Sequence, residues 1–209
     1  VADGIFKTQE EVDHHPIQNG KGIGRIRYRD LNNDGKIDED DRTWIGNPQP
    51  DFIYGLNLNL EYKNFDFTAF FQGVQNVDVV SNVKRHTDFW SVQDTYGNKG
   101  RRLLDAFDPV TNPDSDIPSV SSVDDNNEGR MSTYYVENGS YLKLRNVQLG
   151  YTLPKELSEK IKLSKLRLYV SGQNLWTLKS KSFTGKDPEN PNYGYPIPIT
   201  FTMGLNASF

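Results

Sequence analysis

The chain has 209 residues, enough for one domain of ordinary size, and no cysteine, so disulfides and thiolate metal sites are excluded. Its 24 basic and 28 acidic side chains leave a net charge of −4 spread along the sequence, which gives a nucleic-acid role no electrostatic support. Aromatics make up 12 % of the chain and glycines number 17, a balance of strand and turn formers that reads as all-β.

The start, from Val1 to Phe6, has no basic or apolar leader pattern and reads like the middle of a longer protein. Residues 1–51 read as a loop region. Their sharpest motif is residues 30–41, where Asp30, Asn32 and Asp34 take positions 1, 3 and 5 of a twelve-residue calcium loop. Gly35 falls where such a loop turns sharply, and Lys36 would offer its backbone carbonyl. Asp38 could act through water, and Asp41 stands at position 12. A hard cation needs six to eight oxygen donors, and this spacing can converge them. Asp41 replaces the usual bidentate Glu, and Ile26-Arg27-Tyr28 in front reads as strand rather than helix. The competing reading is an acidic turn whose Asp and Asn side chains cap backbone N–H groups. The expected cofactor is therefore a structural Ca2+.

Five strands follow, at 52–62, 64–73, 140–153, 165–178 and 199–209. The first is the cleanest. Phe52, Tyr54, Leu56, Leu58, Leu60 and Tyr62 lie on one face and Gly55, Asn57, Asn59 and Glu61 on the other, so one face is apolar and the other wet. Eleven residues with aromatic ends match a tilted strand crossing a bilayer between two aromatic girdles. Lys63-Asn64 makes a tight hairpin turn. In the third strand the phase slips between Leu144 and Val147, which implies a bulge near Arg145-Asn146. Residues 154–161 suggest one or two helical turns after Pro154. The fourth strand blurs near 171–173, and the last alternates from Phe201 to Phe209.

The connections alternate between short and long. Loops 74–139 and 179–198 are long, while the turns at 63–64 and 154–164 are short. That asymmetry belongs to outer-membrane barrels, with short turns in the periplasm and long loops outside. Five strands cannot close such a barrel, so further strands are expected from elsewhere. The alternative is a secreted, calcium-stabilised β-sandwich module that binds glycans. An enzyme has little support: His14-His15 has no matching ligand run, and His86, Asp88 and Ser91 lie too close in sequence for a triad and lack a nucleophile elbow. Trp90, Tyr96, Tyr193 and Tyr195 lie in or beside the long loops and are candidate contacts for a substrate or a lid protein.

Several segments resemble SusC/RagA proteins. They are 20–22 leading to 27–30, 34–38, 42–48, Phe67-Thr68-Ala69-Phe70-Phe71-Gln72-Gly73, 134–146, Gly150-Tyr151-Thr152-Leu153-Pro154, 168–175 and the closing Phe209. The likeness is collinear except near 81–128. It implies the C-terminal strands of a 22-stranded transmembrane barrel in the bacterial outer membrane. That barrel holds an internal plug, is wrapped by outer-membrane lipid, and carries a SusD-like lipoprotein lid. It also implies TonB-driven uptake of oligosaccharides or peptides. Plug and TonB-contacting segments are absent from these residues, so this stretch alone should transport nothing.

Overall fold

The computed structural model describes residues 1–90, 99–121, 125–192 and 194–209, apart from the side chains of Phe89 and Trp90. Its main element is one antiparallel sheet of β3 (Phe52–Tyr62), β4 (Phe65–Gln75), β7 (Tyr141–Thr152), β8 (Lys165–Lys179) and β9 (Thr200–Ser208), in that order across the sheet. Neighbours in space are neighbours in the meander, so every connection returns to the adjacent strand. β4 runs two residues past the expected Gly73, because Val74 and Gln75 keep pairing with Ile53 and Phe52.

Register turns alternation into rows. Leu60, Phe67, Leu149, Val170 and Met203 pair successively across all five strands, as do Tyr62, Phe65, Tyr151, Leu168 and Leu205. Paired residues share a face, so these rows form one continuous apolar surface. Tyr62, Phe65 and Tyr151 line its end beside the short turns, with the Phe65 and Tyr151 rings 4.7 Å apart. Tyr54 and Trp176 lie towards the opposite end. The other face carries Asn59, Thr68, Gln148, Ser171 and Thr202 in one row.

Nothing among the described residues covers the apolar rows. Leu58, Leu60, Val170, Met203 and Leu205 stay 39–82 % exposed. A sandwich would bury this face beneath a second sheet, so the compact-module alternative does not describe the fold. The outer edges of β3 and β9 also have no partner strand within the described chain. Among the described residues no helix is long and apolar enough to cross a membrane, which leaves strand crossing untouched.

Two glycines of the sheet make room for aromatic rings on the neighbouring strand. Tyr54 pairs with Gly73 and Tyr169 with Gly204, and each ring lies where a glycine Cβ would be. Gly73→Val would drive a branched side chain into the Tyr54 ring. Overpacking of this kind costs about 1–3 kcal/mol. The expected result is a lower unfolding midpoint for the full-length protein in detergent, with Tyr54→Ala/Gly73→Val recovering part of the loss.

The bulge sits where the phase slip puts it. Leu144 pairs with Trp176 and Asn146 with Gln173, so Arg145 stands alone on β7 opposite Asn174 and Leu175 on β8. Asn174 takes a left-handed φ of 55°, which Asn tolerates better than most residues. The short turns, Lys63-Asn64 and the segment holding α3 (Lys155–Lys160), lie at one end of the sheet.

At the other end the long connections fold on their own. β1 (Ala2–Ile5) pairs with β2 (Ile26–Tyr28), and β5 (Asp78–Val80) pairs with β6 (Val136–Asn138). Between β1 and β2 runs α1 (Gln9–His14), capped by the Thr8 hydroxyl. Ile26, Tyr28 and Tyr135 make a small core with Ile37, Val80 and Tyr134 against it. The region read as an extracellular loop folds into a packed cap, with polar residues inside: Gln18 and Asn126 hydrogen-bond each other and share the Ile26 carbonyl. The cap continues from β5 through α2 (Asn82–Arg85).

Candidate functional site on the polar face

Alternation along β7 sends Tyr141 and Lys143 to the polar face, since they pair with Val74 and Gln72 of β4. The same alternation places Arg145, at the bulge, on that side as well. These three side chains meet the segment that follows β8. Lys143 Nζ lies 2.6 and 2.7 Å from the two Asp187 carboxylate oxygens and 2.5 Å from Glu189 Oε2. Tyr141 donates its hydroxyl to Glu189 Oε1 at 2.6 Å. Arg145 donates Nη2 to the same oxygen and Nε to Gln72 Oε1 at 2.8 Å. Glu189 therefore takes a phenol, an ammonium and a guanidinium at once.

Lys143 is only 1 % exposed, and a buried ammonium persists only when paired. Burial works to raise the Glu189 carboxyl, but the bonds from Arg145, Lys143 and Tyr141 outweigh it and hold it down at about 2. That stabilisation is present above the ordinary carboxylate value and is lost as pH falls through it towards 2. The same segment reaches the cap: Thr184 N and Oγ1 donate to Glu137 at 3.0 and 2.8 Å, and Phe183 is buried. It thus bridges the sheet and the cap.

Nearer the short turns, Arg167 grips Asp66 with two parallel hydrogen bonds, one at 2.9 Å. They border a polar concavity with Glu61, Thr68 and Gln148.

A second charged cluster lies in the cap. Asp88 accepts from Arg102 and, at 2.8 Å, from the Tyr134 hydroxyl. The Lys84 ammonium sits 3.8 Å from the Tyr134 ring centroid and 3.8 Å from Glu137 Oε1. Burial pushes the Lys84 ammonium down to about 8, Arg102 adds to the fall, and Glu137 and Asp88 oppose it. Below pH 8 the folded cap carries this charge at a cost; between about 8 and 10.5 the folded state gives up the proton while the unfolded state keeps it. Cap stability should therefore rise over that window. Hydrogen exchange of β5 and β6 amides, corrected for intrinsic rates, should slow with pH there, and Lys84→Met should remove the trend.

The acidic loop adopts a turn-rich form. Asp30 accepts from the N–H groups of Asn33 and Gly35 at 2.6 and 2.9 Å, and Asn32 and Asp34 each accept from the N–H two residues on. Gly35 has φ of 85°, the left-handed region that favours glycine at the sixth position. Asp41 is buried and accepts from Leu31 and Asp38 N–H groups at 2.6 and 2.9 Å. The Lys36 ammonium lies 2.5 Å from Asp38 Oδ2 and 3.5 Å from Asp34 Oδ2. No three acidic, His or Cys groups converge on one point among the described residues. The spacing and the left-handed glycine are those of a calcium loop, while Lys36 already supplies a positive charge beside Asp34 and Asp38.

Of the four aromatics, Tyr195 is 96 % exposed beyond β8. Tyr96, Tyr193 and the side chain of Trp90 lie outside the described residues, as does Ser91. The site that sequence reasoning missed is Tyr141, Lys143 and Arg145. Its signal was a tyrosine and two cations at alternate positions of one strand.

No protein-family profile matches the chain. It is 34 % identical to TonB-dependent receptor P26 of Formosa agariphila over 99 % of its own length and 22 % of that protein. TonB-dependent receptor P3 of the same organism is 37 % identical over 87 % of the chain and 19 % of the relative. TonB-dependent receptor SusC of Bacteroides thetaiotaomicron is 29 % identical over the whole chain and 20 % of the relative. The chain spans about a fifth of the length of these relatives. Among solved structures, the RagAB peptide importer in its open-open state superposes over the entire chain and 22 % of its own, with TM-score 0.70 and 24 % identity, a likeness of fold. Uncovered apolar rows, two unpaired sheet edges and these relatives agree: the chain belongs to the SusC/RagA-type TonB-dependent receptors of the bacterial outer membrane, and its sheet is a portion of their barrel wall.

Proposed function

We propose that this chain is part of an energised importer that takes oligosaccharides or peptides across the outer membrane. The single observation that carries the reading is the apolar face left open between two unpaired edges. Such a sheet is stable only in lipid and only when neighbouring strands satisfy its edges. In this reading the packed cap and residues 180–199 lie outside, the short turns lie in the periplasm, and the polar face lines the lumen. A plug supplied by the rest of the protein fills that lumen, TonB supplies the drive, and a SusD-like lipoprotein covers the cap. Tyr195, Tyr193, Tyr96 and Trp90 are the aromatic candidates for contact with solute or lid. Among the described residues no constellation supports catalysis. Uptake of labelled maltotriose or of a labelled oligopeptide by cells carrying the full-length protein should stop when TonB is deleted. Uptake of both that persists without TonB would contradict the proposal.

The loop at 30–41 is proposed to hold a structural calcium ion through Asp30, Asn32, Asp34, the Lys36 carbonyl, Asp38 and Asp41. The spacing and the left-handed Gly35 support this. Binding would require Lys36 to swing its ammonium away from Asp38. Chelator should therefore speed protease cleavage within 30–41 several-fold while the barrel stays intact. Equal cleavage with and without chelator would leave the loop as a capped acidic turn.

A further inference from the structure

The Tyr141, Lys143 and Arg145 side chains, at alternate positions of one strand, converge on one carboxylate. Three donors of different chemistry around a single carboxylate form an oxyanion cradle, with Gln72 fixing the guanidinium from behind. The present occupant is not part of the wall. Glu189 belongs to the connection between β8 and β9, which reaches the cradle from outside the sheet. Asp187 sits beside it on the same ammonium. Asp187 is 12 % and Glu189 25 % exposed in their side chains, so the occupant borders solvent while Lys143 beneath it does not.

We propose that the cradle is an anion site of the barrel lumen, and that Glu189 is a resident ligand which a carboxylate on an incoming solute displaces. Charge bookkeeping supports exchange: Lys143 and Arg145 are matched by Asp187 and Glu189, so this patch of wall is neutral with both carboxylates seated and carries one positive charge when Glu189 alone leaves. A solute carboxylate restores the balance that the departing glutamate removes. The Thr184–Glu137 bonds would keep the segment tethered to the cap while Glu189 leaves. The inference rests on the importer reading for the source of the solute, but the site itself can be tested without transport.

The test uses the full-length receptor in detergent, with tri-galacturonate and tri-glutamate as anionic probes and maltotriose as the neutral control. Glu189→Gln should bind at least one anionic probe tenfold or more tighter than the parent does. Adding Arg145→Gln should abolish the gain, and maltotriose should bind no differently across the set. Which probe gains tells a uronate source from a peptide carboxylate. No gain for either probe would overturn the proposal and leave the two carboxylates as a fastening. A second measurement on the parent covers failure of the variant to assemble. Protease cutting within 180–192 should rise in sulfate over chloride at equal ionic strength, and equal cutting would overturn the proposal. TonB-dependent uptake, measured separately, decides the importer reading whichever way the binding falls.

Discussion

Leu58→Lys should destabilise the assembled full-length barrel by about 2–4 kcal/mol, the cost of a cation on the lipid face near the middle of a bilayer. Leu58 stands at the centre of β3, pairs with Ala69 and lies on the uncovered apolar face. Asn57, one residue earlier, pairs with Phe70 on the polar face. Asn57→Lys should change stability little, because water reaches that side. The contrast between adjacent positions carries the prediction: a soluble sheet with one wet face would place Leu58 against a packed core. There Leu58→Lys would also be costly, but detergent or lipid would make no difference. The measurement is urea unfolding of both variants in lipid vesicles, followed by tryptophan fluorescence and by migration of the folded form on unheated gels.

Lys143→Met should be the most damaging single change on the polar face. It removes the ammonium that holds Asp187 and shares Glu189, and leaves a carboxylate at the edge of burial without a cation. Breaking a buried pair from one side costs about 3–5 kcal/mol, most of it the uncompensated charge. Adding Asp187→Asn should recover much of the loss, since the stranded charge is then gone. The residual deficit measures what the pair itself contributes. If Lys143→Met and the double variant unfold at the same denaturant concentration, the Lys143–Asp187 contact does not organise this end of the wall.

Much of the sheet was legible because period-two alternation is a local signal. Phe52 to Tyr62 announces its faces without any knowledge of its neighbours, and the slip between Leu144 and Val147 locates the bulge at Arg145. The blur in β8 was legible as well, although its cause lies two residues later, at Asn174 and Leu175 opposite that bulge. The cap was less legible. β5 and β6 are three residues each and join Val80 to Val136 across a long stretch of chain, and β1 pairs Ala2 with Tyr28 around α1. Pairings that short carry no periodicity, and only the buried Ile26, Tyr28 and Tyr135 justify them.

The charged site was half legible for a different reason. Tyr141, Lys143 and Arg145 share a face by simple counting, but their meaning depends on Asp187 and Glu189, more than forty residues away in a stretch of Pro, Gly and Asn with no pattern. Aromatic residues in the long loops point to Tyr195, which stands exposed, while the carboxylate pair that folds back onto the wall carries no such mark. The acidic loop shows the reverse case. Its spacing is plain in the sequence, yet spacing cannot tell an ion from the Lys36 ammonium that lies between Asp34 and Asp38.

One measurement bears most directly on the membrane-wall reading. Spin labels placed singly from 52 to 62 in the full-length protein, in lipid vesicles, report contact with oxygen dissolved in the bilayer and with an aqueous nickel chelate. Oxygen contact should peak at 54, 56, 58, 60 and 62, with nickel contact, where the lumen admits it, at the positions between. Flat profiles, or oxygen contact no higher at the even positions than at the odd ones, would mean that these side chains meet protein or water instead of lipid.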